Sequence, residues 1–141
     1  MTPDQVKLVQ DSFAKVVPIS EQASVLFYDR LFEIAPQVRS MFPEDMTEQR
    51  RKLMAMLAAV VKGLGNLESI LPAASALAKR HVSYGAQAAH YPVVGTALLG
   101  TLEKGLGDAW TPEVAEAWTT AYGTLSGYMI SEGYSHSQAA E

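Results

Sequence analysis

The chain has no cysteine among its 141 residues, which removes disulfides, thiolate metal ligands and iron–sulfur clusters together. It also lacks an uninterrupted apolar run of membrane-spanning length. The opening MTPDQVKLVQ has neither the basic nor the apolar region of a signal peptide. Positive charge is scarce: 11 Lys and Arg against 15 Asp and Glu leave a net charge of −4, without the basic stripe that nucleic acid or an anionic membrane surface demands. Strand signals are missing too, with no period-two alternation and no Asn-Gly or Asp-Gly hairpin turn. Together these absences point to a cytoplasmic protein without nucleic-acid or membrane partners. The remaining composition, 48% hydrophobic and 18% charged, reads as one globular domain over residues 1–141, with a polar tail from about residue 133.

What the chain does have is helical punctuation. Thr2-Pro3-Asp4-Gln5 joins a capping hydroxyl, a first-turn proline and a glutamine three residues after the cap, and so predicts a helix that Pro18 stops. Ser20 is expected to cap a second helix carrying Ala23, Phe27, Tyr28, Leu31 and Phe32, which closes before Pro36. A short turn reaches Phe42, and Thr47 is expected to cap a long helix with Leu53, Leu57, Val60 and Val61 on one face. Gly63 and Gly65 end it. The stretch from Leu67 to Tyr84 reads as helical with a break or restart at Pro72, closed by Gly85. Pro92 opens a helix that Gly107-Asp108 breaks, and Thr111-Pro112-Glu113 opens the last, striped by Trp118, Tyr122, Leu125 and Met129. Gly123 and Gly127 on that helix read as points of close helix approach. The expectation is an all-α, non-bundle domain of about seven to eight helices.

Three side chains stand against this apolar background. His81 shares its helical face with Ala74, Leu77, Ala78 and Tyr84, while Lys79 and Arg80 face away. Taken alone, it reads first as a buried neutral histidine bonded to a carbonyl. Zinc lacks a ligand set, since His90 and His136 are scattered and no cysteine exists. Haem iron differs, because the porphyrin brings four nitrogens and one protein ligand suffices. Gln49 heads the apolar stripe of its helix, and Tyr28 lies on the inward face of another. Separately, each has a plain explanation, solvation for the amide and packing for the ring. With His81 they form a set in which a phenol O–H and an amide N–H would stabilise charge on coordinated O2, and do less for CO. Such a pair predicts tight, slowly released O2.

The segments LFYDRLFEIAPQVRSMF, EQRRKLMAML, NLESILPAASALAKRH, HYPVVGTALLGTLEKGLG and EAWTTAYGTLSGYM, in this order and spacing, resemble a globin from about Asp4 to Met129. The likeness is closest to single-domain bacterial globins and to the haem domain of flavohaemoglobins. It implies the globin fold around one haem b pocket, with His81 as the proximal iron ligand and Phe42 as the haem-wedging phenylalanine. It places Gln49 at the distal polar position, Leu53 one turn on, Tyr28 as the distal tyrosine and Tyr91 on the proximal side. Leu77 and Val94 would line the haem. Lys52, Arg80 and His90 could meet its propionates, or be simply solvated. Glu132 stands one residue early against the glutamate that flavohaemoglobins set beside the proximal histidine, about 100° around the helix, and is not expected to replace it.

The implied function is reversible, high-affinity binding of O2 and of CO and NO, with an open sixth site in the ferrous protein because an amide is a poor iron ligand. The alternative is an enzyme, NO dioxygenase. With no Gly-rich dinucleotide motif and no flavin domain following in these 141 residues, its electrons are expected from a separate reductase. Storage or delivery of O2 suits slow release poorly, and a sensor would need an output domain. A non-haem helical interaction module is the remaining class, and a Soret band in the purified protein would exclude it. A monomer or weak dimer is expected.

Overall fold

The computed structural model describes residues 2–83 and 90–140, with side chains at 67, 82–83 and 132–140 left undescribed. Helix α1 spans Pro3–Val16, α2 Ser20–Ile34, α3 Thr47–Gly63, α4 Leu67–Ser83, α5 His90–Leu106 and α6 Pro112–Ala140. Short 3-10 turns cover Val17–Ile19, Pro36–Met41 and Gly107–Ala109. The described residues contain no strand, and six α-helices with three 3-10 turns stand where seven to eight helices were expected.

Local chemistry accounts for most boundaries. Thr2 Oγ1 accepts from the Gln5 amide at 3.1 Å and Gln5 Oε1 accepts from the Thr2 amide at 3.0 Å, closing a reciprocal cap on α1. Thr111 Oγ1 accepts from the Val114 amide at 3.2 Å and starts α6. Gly107, at φ +55°, makes the left-handed turn after α5 that a side chain would resist.

Four expectations are corrected. Ser20 does not cap α2: it is already helical (φ −58°, ψ −36°), because the chain arrives from a 3-10 turn, whereas a capping residue must be extended. Thr47 does not cap α3 either. It donates from its amide (3.0 Å) and its hydroxyl (2.7 Å) to the Asp45 carboxylate, which supplies the capping charge from two residues upstream. Those two bonds hold the Asp45 carboxyl below its ordinary pKa. Pro72 neither breaks nor restarts α4, which runs through it. The proline sits in the second turn and forfeits one backbone bond, while α4 packs on α6. Finally, Gly123 and Gly127 are exposed with open space around them. Along α6 the close approach is to Gly95 of α5, where an added Cβ would lie 2.7 Å from the Tyr122 ring.

The core is divided. A large cluster gathers residues of α1, α2, α3, α5 and the first half of α6, including Val9, Phe13, Phe27, Tyr28, Val61, Leu98 and Trp118. A smaller one joins Ala74 and Ala78 of α4, Tyr91 of α5 and Met129 of α6, with Leu77 and Leu125 beside them. Helix α6 serves both. Near its start, Trp118 Nε1 donates to the buried Ser12 hydroxyl at 2.8 Å, and that hydroxyl donates to Leu8 O at 2.7 Å. Gln10 Nε2 ties α1 to α3 by donating to Val61 O at 3.0 Å.

Candidate functional site

Helix α2 ends before Ala35-Pro36 and points Tyr28 into the larger cluster, where it is 5% exposed. Its ring meets Phe27 edge-on at 4.9 Å, Phe42 edge-on at 5.6 Å and Phe32 at 5.9 Å between centroids. Phe32 and Phe42 touch each other at 5.4 Å, so four aromatic rings form one group. Gln49, in the first turn of α3, donates from Nε2 to Tyr28 Oη at 3.1 Å. The phenol oxygen therefore acts as acceptor towards the amide and keeps its own proton to donate. Burial raises the Tyr28 pKa above the ordinary 10.0, and the bond from Gln49 opposes that rise.

Across the divided core, His81 occupies a half-buried place near the end of α4. Its Nδ1 lies 2.8 Å from the Leu77 carbonyl oxygen one turn back. A carbonyl oxygen can only accept, so Nδ1 carries the proton of this bond, and Nε2 is the ring nitrogen that could ligate a metal. The His81 ring lies 6.3 Å from that of Tyr91. The Tyr91 carbonyl in turn accepts from Tyr122 Oη at 2.6 Å, which secures the first turn of α5 to α6. Burial first, and then the neighbouring Tyr91, push the Tyr122 pKa strongly upward.

The expected site residues thus fall into two sets. Tyr28, Gln49 and Phe42 come together directly, and Leu53 and Val94 pack against the same large cluster. His81, Leu77 and Tyr91 belong to the smaller group. Lys52 and Arg80 are exposed, and His90 is half-buried as the first residue of α5. Tyr84 lies outside the described residues, and the side chains of Glu132 and His136 are likewise not described. Three contributors escaped the sequence reading. The first is Asp45 at the start of α3. The second is Met46, buried beside it. The third is Arg39, whose guanidinium lies over the Phe32 ring. Only Asp45 had a sequence signal, as an acidic residue two positions before a helix.

The donor set can be tested against the haem that the resemblance implies. With Nδ1 committed to the Leu77 carbonyl, Nε2 is the nitrogen that the His81 imidazole could offer a porphyrin-held iron, and no cluster of three or more potential ligand side chains competes among the described residues. The walls fit as well. Val61 alone is buried among the residues of α3, and its apolar Leu53, Leu57 and Val60 stay half-covered, as do Phe42, Leu77 and Val94. These half-covered side chains are apolar surface that a hydrophobic cofactor could cover.

The described residues form an all-α domain with an oriented imidazole on one helix and an amide–phenol pair on two others. Residues 25–129 match the family model described as Globin, and the chain belongs to the globin family. It is similar to the flavohemoprotein of Rhodopirellula baltica, 33% identical over 89% of this chain and 31% of that protein. It is also similar to that of Bacillus subtilis, 29% identical over 89% of this chain and 32% of that protein. The chain therefore spans about a third of the length of these relatives. Among solved structures, a bacterial globin from Campylobacter jejuni superposes with a TM-score of 0.81 at 26% identity, covering 97% of this chain and 99% of the other. An engineered carbene transferase from Rhodothermus marinus, whose parent is described as a candidate nitric oxide dioxygenase, reaches 0.87 at 29% identity over 100% of this chain and 99% of that one. No helix among the described residues is long and apolar enough to cross a membrane.

Proposed function

We propose that the chain holds haem b through His81 Nε2 and binds O2, and other diatomic gases such as CO and NO, reversibly and with high affinity. The observation that carries this reading is the bond from Gln49 to the buried Tyr28 phenol. When bound, haem supplies an iron on which a diatomic gas coordinates. The protein's contribution is then largely electrostatic. Burial keeps the Tyr28 proton on its oxygen at any physiological pH. Gln49, by donating to that oxygen, polarises the remaining O–H and makes it a stronger donor, and the rings of Phe27, Phe32 and Phe42 keep water from weakening the pair. A ligand that gathers negative charge, as O2 does, gains most from such a donor, and neutral CO gains least. On the other side, the Leu77 carbonyl fixes the tautomer and plane of the His81 imidazole. Leu53, Leu77 and Val94 would line the cofactor, with Phe42 wedged against it and Tyr91 flanking His81; Lys52, Arg80 and His90 would serve its propionates.

The test is the O2 dissociation rate of the reduced, haem-loaded protein beside Tyr28→Phe. Release that speeds up at least about tenfold on losing the phenol matches one donor hydrogen bond. Equal, fast release from both proteins would overturn the donor role. A second reading, NO dioxygenase drawing electrons from a separate reductase, gains support from the likeness to the Rhodothermus marinus protein. Oxygen-dependent conversion of NO to nitrate by the haem-loaded chain, given an added flavin reductase, would establish it.

A further inference from the structure

Between Phe42 and Gln49 the chain leaves one helix and begins another through residues 43–46, and a loop of this kind is an insecure support for a donor. Here one side chain closes it. Arg39 Nη1 donates to the Phe42 carbonyl at 3.3 Å and to the Pro43 carbonyl at 2.9 Å, while Nη2 donates to the Glu44 carbonyl at 3.2 Å. The backbone of Arg39 takes part as well, its carbonyl accepting from the Phe42 amide at 3.1 Å. The guanidinium carbon stands 5.1 Å from the centre of the Phe32 ring, which packs on both Phe42 and Tyr28. Three consecutive carbonyls are thus held in one planar fork. The next residue, Asp45, starts α3 by binding Thr47, and Gln49 follows two residues later. The fork reaches the phenol by two routes, through the rings and through the start of α3.

We infer that Arg39 is a positioning residue for the distal donor pair: its fork sets the path of residues 42–44 so that Phe42 and Gln49 meet Tyr28 in register. The inference deepens the proposed function and rests on it. A lysine keeps the charge and the stem but cannot hold three carbonyls in one plane, so Arg39→Lys should behave more like Arg39→Ala than like the parent.

The experiment uses the haem-loaded chain with Arg39→Lys, Arg39→Ala, Tyr28→Phe and the Arg39→Ala/Tyr28→Phe double variant. Three quantities are read: O2 release, thermal midpoint, and amide exchange over residues 43–50 against the rest of the chain. Arg39→Ala and Arg39→Lys are each expected to accelerate O2 release about tenfold. Exchange should rise over residues 43–50 alone, and Arg39→Ala should add nothing to release once Tyr28 is Phe. A merely structural arginine would lower the midpoint without this selectivity. Parental release and exchange in both Arg39 variants, or an acceleration that persists in the double variant, would overturn the inference. If Tyr28→Phe leaves release unchanged while exchange over 43–50 still rises, the gas-donor reading falls and the positioning of the loop by Arg39 stands.

Discussion

The two sides of the divided core are built on different plans. On the Tyr28 side, three aromatic rings contributed by α2 and the turn after it surround a phenol. The polar atoms there come from three stretches of chain, joined by Gln49 and Arg39. On the His81 side the packing is small: two alanines, a tyrosine and a methionine, with an imidazole oriented by a carbonyl of its own helix. The first plan is cooperative and the second is local. A donor that must meet a ligand of one shape needs many elements in register, whereas a ligand nitrogen needs only a fixed tautomer and a stiff helix.

That contrast can be broken first at its simplest point. His81→Gly should weaken haem retention at least about 100-fold, seen as loss of the Soret band on gel filtration, with added imidazole restoring it. Retention equal to the parent would remove His81 as the ligand. A gentler probe is Gly95→Ala. Its Cβ would press on a Tyr122 ring that cannot easily retreat, because its hydroxyl is bonded to Tyr91 O. The expected loss is about 1–3 kcal/mol in urea unfolding, with earlier haem loss but an unchanged O2 release rate. If release changed too, the two sides would not be separable. The smallest effect concerns pH. Both Tyr28 and Tyr122 have folded pKa values raised above the ordinary 10.0, mainly by burial. Their contribution is fully present below pH 10 and is lost as pH rises above it, because the unfolded chain gives up these protons first. Alkaline stability curves should therefore flatten in Tyr122→Phe and, less strongly, in Tyr28→Phe. A slope identical to the parent in both would show that other groups govern alkaline unfolding.

Legibility in the sequence followed the range of the interaction. The start of α1 was readable because its cap lies wholly within Thr2–Gln5, and the turn at Gly107 because only glycine accepts that backbone easily. Tyr28, Gln49 and His81 stood out as polar groups on apolar stripes, a periodic signal that any helix displays. Pro72 was misread because its local penalty is visible in the sequence whereas the packing of α4 on α6 is not. The same holds for Gly95, whose need for space comes from a ring 27 positions away, and for Arg39, whose three acceptors carry no side-chain identity at all. The glycines read as points of close helix approach, Gly123 and Gly127, have no such neighbour.

Helix α6 carries a consequence for how the protein is made. Its 29 residues extend about 43 Å, and it supplies Trp118 to the first helix of the chain and Met129 to the fourth. A ribosome delivers this helix after α1 to α5. Until it emerges, the nascent chain holds Phe13 without the indole that packs on it, and Ala74 and Ala78 without the methionine of their cluster. Both sides wait for the same segment, and neither is complete before α6 has formed.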